Sequence, residues 1–185
     1  AVPVARTIDR FVCGYAVATV DEGLKLRRHG IEKEILCLGP VSAGRYQECL
    51  ENDISLPMFE YRRAKELSDA AVAEGKTAKI HIAVDTGMSR IGLFPDEGSV
   101  ETVKEIAELP ALRIAGMFTH FARADEADKT KAGEQYRRFH AFCDAGKAAG
   151  VEVPICHCSN SAGIVELPDF NMDAVRAGIT IYGLY

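Results

Sequence analysis

Four short strings gather the side chains that can bind charge or move a proton: Asp85-Thr86-Gly87-Met88-Ser89-Arg90-Ile91-Gly92, Thr119-His120-Phe121, Ser159-Asn160-Ser161 and Arg176-Ala177-Gly178-Ile179. Histidine titrates near neutrality, which makes His120 and His157 candidates for proton work. Ser161 can donate its hydroxyl at a helix start. Gly178 lets the backbone approach a ligand closely, and its amide with that of Ile179 suits a phosphate oxygen. No G-x-G-x-x-G and no G-x-x-x-x-G-K-[ST] string occurs, so dinucleotide and P-loop sites have no support. Taken singly, each residue also fits a structural role. Either histidine suits burial beside a satisfying neighbour, Arg90 suits a pair with Asp85 or Asp96, and Arg176 suits a capping ion pair.

The elements that must position these strings alternate between extended and helical. Apolar extended runs fall at 11–17, 34–38, 54–59, 79–84, 114–118 and 153–157, and 173–176 closes the series with a short tail at 179–184. Helical stripes lie between them, at 2–10, 20–29, 42–51, from Tyr61 through Ala64 and Leu67 to Ala71, around Val103 and Ile106, and at 131–149. In the last of these Tyr136, Phe139, Phe142 and Cys143 share a face. Continuous apolar strands separated by helices predict a parallel sheet covered by helices. Such folds bind ligands at the carboxyl ends of their strands, and barrels often take phosphate on the loops after strands seven and eight. Every polar string sits at such an end, so all four reach one rim.

Composition sets the outer limits. The chain has 185 residues, 48% apolar and 26% charged, with a net charge of −5. That balance fits one globular domain, and no repeat or linker divides it. An acidic background without a basic tract argues against a nucleic-acid surface. No apolar run approaches the ~20 residues of a membrane span. The six cysteines show no paired C-x-x-C spacing, which predicts a reduced, cytoplasmic protein with Cys13 and Cys37 as small hydrophobes inside strands. Cys156-His157-Cys158 is a poor metal site, since alternate strand residues face opposite sides. The length suits an open sheet and is short for a (β/α)8 barrel of ~250 residues.

The strings HIAVDTGMSRIG (81–92), GMFTHFARAD (116–125), HCSNSAG (157–163) and DAVRAGITIYGLY (173–185) resemble, in order and spacing, the alanine racemase family. The resemblance covers essentially the whole chain. It implies an α/β fold, the N-terminal (β/α)8 barrel of an enzyme that uses pyridoxal 5'-phosphate (PLP) to interconvert L- and D-alanine as a homodimer. By resemblance, Arg176 meets the pyridine nitrogen of PLP and His157 supports it. His120 links that arginine to a catalytic tyrosine, and Arg90 meets the cofactor's phenolic oxygen. Asn160 and Ser161, with the amides of Gly178 and Ile179, form the phosphate side, and Leu38 is an apolar wall. Arginine stays protonated, so it donates to the ring nitrogen without protonating it fully, which weakens the ring as an electron sink. Serine racemases of the same fold, a non-catalytic PLP-binding barrel and a phosphate-binding barrel without PLP are the alternatives.

Three departures from the family pattern stand out. No K-A-x-A-Y-G-H-G-type string supplies the lysine that holds PLP, and the catalytic tyrosine belongs to a C-terminal β-domain; Tyr182 and Tyr185 are misplaced for that role. Ala83 stands where some members carry a carbamylated lysine that supports Arg90. The expectation is therefore an incomplete barrel over residues 1–185, lacking the first strand and last helix, inactive by itself, with exposed strand edges that invite association.

Overall fold

The computed structural model of the chain describes residues 1–183, so Leu184 and Tyr185 lie outside the described residues. Strands β1 (Gly14–Val17), β2 (Glu34–Cys37), β3 (Ile54–Met58), β4 (Ala78–Ala83), β5 (Leu112–Phe118) and β6 (Cys156–His157) pair in parallel in their chain order. Helices α1 (Val2–Ile8), α2 (Val20–Arg28), α3 (Tyr46–Glu51), α4 (Tyr61–Ala73), α5 (Glu97–Ala107), α6 (Thr130–Ala148) and α7 (Ser161–Glu166) accompany them. A doubly wound sheet reverses its strand order at a switch point. Here the order never reverses, and right-handed crossovers then place every connecting helix on the same side. That winding is a barrel's, so the fold is an incomplete α/β barrel rather than the open sheet its length suggests.

Local signals set the helix starts. Thr19 and Glu22 form a reciprocal capping box on α2, and Asp96 Oδ1 accepts the Ser99 amide at 2.8 Å to cap α5. Three sequence expectations shift. The first strand begins at Gly14, not 11, because Asp9–Phe11 form a 3-10 turn whose end Lys33 holds through the Val12 carbonyl at 2.6 Å; Cys13 is consequently exposed. β6 is only two residues long, since the Cys156 amide donates to the Asp173 carboxylate at 2.8 Å instead of extending a ladder. The 173–176 segment makes one bridge, Ala174 to His157, and no strand; the following residues, Ile179–Tyr182, form a 3-10 turn.

The sheet has two unlike faces. Ile35, Ile54, Leu56, Ile80, Ile82 and Met117 join Leu24, Leu67, Ala71, Ile106 and Phe139 of the helices in one buried cluster. The opposite face carries Glu34, Ser55, His81, Gly116 and His157. A register shift against β4 lets Ile80 pair with Ile114 but His81 with Gly116, so Ala115 is one extra residue in β5. The bulge keeps Ile114 and Met117 both on the helix side and turns Gly116 toward His81.

Candidate active site at the carboxyl rim

Arg176 anchors the rim. Its Nη1 donates to His157 Nδ1 at 2.6 Å and to the His157 carbonyl at 3.2 Å. Its Nη2 donates to the carbonyls of Thr119 at 2.7 Å and Cys158 at 3.1 Å, with His120 Nδ1 at 3.3 Å. The Phe118 ring lies 5.6 Å from Cζ. These acceptors replace the ion pair that a capping role would need. Burial, with a smaller push from Arg90, pulls the guanidinium down to about 10, which leaves it protonated at neutral pH. Its Nε–H has no acceptor among the described residues.

The arginine also fixes two imidazoles. A guanidinium only donates, so Nδ1 of His157 and of His120 must each present a lone pair. Both rings are then neutral with the proton on Nε2. Their environments agree. Burial, then the Arg176 and Arg90 charges, pushes His120 down to about 4. His157 is pushed well below its usual value by burial, Arg176 and His81. The His157 Nε2 lies 3.1 Å from His81 Nδ1, and His81 Nε2 lies 3.3 Å from Glu34 Oε1.

Arg90 is exposed and has no carboxylate partner among the described residues. Asp85 Oδ1 instead accepts the amides of Gly87 and Ser89 at 3.0 and 2.9 Å, and Asp96 caps α5. The loop then doubles back through Gly92, at φ 127°, where a Cβ would sit 2.4 Å from the Asp85 nitrogen. Ala83 is buried and brings no charge to Arg90. Gln135 of α6 ties this loop to the next: its Nε2 donates to Thr86 Oγ1 at 3.2 Å and the His120 carbonyl at 3.0 Å, and its Oε1 accepts the Ala122 amide at 2.9 Å.

On the phosphate side, Ser161 Oγ accepts the Gly178 amide at 2.9 Å. The second amide near it is Thr180's, at 3.4 Å, whereas Ile179 contributes an exposed side chain. Asn160 Oδ1 accepts the Gly163 amide at 3.0 Å and its Nδ2 donates to the Phe121 carbonyl at 3.2 Å, so this side chain holds backbone in place. Leu38, half-buried, lies just past β2, its amide donating to Val17 O at 2.8 Å.

The geometry thus unites Arg176, His157 and His120 through direct contacts. Ser161 and Gly178 form a second contact group, and Asn160 braces their base. Sequence reasoning missed Glu34, His81, Ser55 and Gln135. For Glu34, Ser55 and His81 the available signal was a polar residue at an inner position of a largely apolar strand; Gln135 lies on α6, where its one signal was a polar residue on a buried helix face. No group of three His, Cys, Asp or Glu side chains arranged for a metal occurs among the described residues, and no described helix is long and apolar enough to cross a membrane.

The family model for the alanine racemase N-terminal domain matches residues 1–185. An alanine racemase of Clostridium novyi is 45% identical over 178 residues, covering 96% of this chain and 46% of that protein. One from Clostridium tetani is 41% identical over 170 residues, covering 92% and 44%. The solved alanine racemase of Clostridium difficile superposes with a TM-score of 0.97 at 37% identity, covering 100% of this chain and 48% of the other. One from Bacillus anthracis with bound L-Ala-P does so with a TM-score of 0.86 at 30% identity, covering 100% and 54%. The chain spans about half the length of these relatives.

Proposed function

The chain belongs to the alanine racemase N-terminal domain family, and on that premise we propose that the whole protein is a PLP-dependent isomerase interconverting L- and D-alanine. Residues 1–185 are assigned to its barrel domain. The observation that carries the reading is Arg176, a permanent cation locked by backbone carbonyls and two imidazoles, with its Nε–H left without an acceptor. A pyridine nitrogen is the acceptor that such a donor suits. The rest of the rim suits the same cofactor: Arg90 offers a second cation for the phenolic oxygen, Ser161, whose Oγ already takes the Gly178 amide, lies beside Ile179 on a phosphate side braced by Asn160, and Leu38 offers an apolar wall.

Bound PLP would supply an electron sink for the carbon that loses its proton. Arg176 would donate a hydrogen bond to it while keeping its own proton, which would hold that sink weak and favour proton return over side reactions. His120 carries its proton on Nε2, ready to orient the tyrosine that the family resemblance places elsewhere in the whole protein. The lysine that holds the cofactor is assigned there too. A homodimer, a cytoplasmic location and a role in supplying D-alanine for peptidoglycan are part of the same proposal.

The test is the whole protein with PLP. It should bind the cofactor and convert either enantiomer of alanine into the other, and Arg176→Glu should abolish turnover. Cofactor binding without turnover would point to a non-catalytic barrel, and faster turnover of serine would point to a serine racemase. Failure to bind PLP would overturn the reading.

A further inference from the structure

We propose that Glu34 and His81, which lie away from the rim, are positioning residues for Arg176 that act through His157. Glu34 is the first residue of β2, so it stands at the amino end of the sheet, opposite the site. From there a single file of contacts crosses the inner face: Glu34 Oε1 to His81 Nε2 at 3.3 Å, His81 Nδ1 to His157 Nε2 at 3.1 Å, and His157 Nδ1 to Arg176 Nη1 at 2.6 Å.

The donors in this file have one possible order. Arg176 must donate, so His157 Nδ1 accepts and its Nε2 donates. His81 Nδ1 then accepts and its Nε2–H is aimed at a carboxylate, which only accepts when ionised. Glu34 is fit for that end. Hydrogen bonding to His81 is the main force that holds its carboxyl down at about 2, with Ser55 Oγ donating to the same oxygen at 2.9 Å. The fold also makes room for the middle member. A Cβ on Gly116 would lie 2.6 Å from His81 Nδ1, and the β5 bulge is what turns Gly116 to that face. Barrel interiors are usually layered with bulky branched side chains. A buried polar file there costs stability unless every member is paired, and here every ring nitrogen is.

The inference rests on the PLP reading only in taking Arg176 to meet the cofactor. Its test uses the whole protein, wild type and with Glu34→Gln or Ser55→Ala, each first checked for folding. Ring nitrogens of 15N-labelled histidines are followed by NMR without cofactor, and PLP affinity is measured by titration. In the wild type His81 should be the Nε2–H tautomer. In Glu34→Gln that population should become mixed and Kd for PLP should weaken roughly tenfold, the lower end of what outer partners contribute at metal sites. Ser55→Ala should move both readouts the same way by less, and it carries the test if Glu34→Gln does not fold. An Nδ1–H tautomer at wild-type His81, or unchanged PLP affinity in a variant whose His81 has lost its tautomer, overturns the proposal. A wild type that does not bind PLP overturns the functional reading instead, while the tautomer measurement still reports on the file.

Discussion

The two faces of one sheet obey different rules. The helix-facing side is a continuous apolar layer in which Ile35, Leu67, Ile80, Ile82 and Ile106 are fully buried. The inner side, alternate residues of the same strands, sets a polar file among apolar neighbours such as Leu36 and Phe118: a carboxylate, two histidines, a serine and a glycine are in contact there, with Phe118 stacked on His157. Apolar burial on the outer side is non-directional and tolerates many sequences of similar volume. Hydrogen bonds on the inner side are directional, so each residue type is dictated by its neighbour's lone pairs and protons. The outer face holds the fold; the inner face holds one guanidinium in one place.

That division can be broken by mutation, beginning with the largest expected effect. Leu67→Ala empties a buried outer position and should cost about 2–5 kcal/mol in chemical denaturation, with PLP affinity of the folded whole protein unchanged. A matching loss of affinity would mean that the faces are not separable. Gly116→Ala strikes the inner face, where its Cβ would meet both His81 and the Ile155 carbonyl at 2.6 and 2.7 Å. It should cost about 1–3 kcal/mol and also shift the His81 ring signals.

Acid should act through the rim and the inner face. With the His120 pKa held down at about 4 and that of His157 pushed well below its usual value by burial, the unfolded chain binds protons below about 6.5 that the folded rings refuse. Stability therefore falls as pH drops from about 6.5 towards 4. It falls again as Glu34, at about 2 when folded, loses ground below about 4.3. Denaturation midpoints across this range should decline, and His120→Asn should flatten the upper part. The smallest effect belongs to the outer side: Thr19→Ala removes the α2 cap and should cost about 1 kcal/mol without altering the pH profile, as read from the same denaturation series.

The outer face was the legible one. Alternating apolar runs and helical stripes predict the strands and helices because burial leaves a period in the sequence. The rim was legible through local strings, three of which follow a strand, while the Arg176 string follows a single bridge from Ala174 to His157. What sequence could not yield was pairing at a distance: His81 meets His157 across 76 positions and Glu34 across 47. The β5 bulge hid Gly116's role, because one extra residue inverts the apparent alternation halfway along the strand. Cys13 read as a buried strand residue because nothing local shows that Lys33 holds the preceding turn. Residues 173–176 read as a strand because the pattern does not reveal that the Asp173 side chain takes the Cys156 amide.

The file from Arg176 to Glu34 has a direction, and direction has a consequence. Every hydrogen bond in it points from the rim to the base of the strands, from a group that does not give up its proton to one that stays ionised. A proton could travel rimward only after the guanidinium had been stripped. The file is thus a strut and an insulator together: it fixes a charge without offering a drain for it. Any proton exchanged at the rim therefore does not pass along this file.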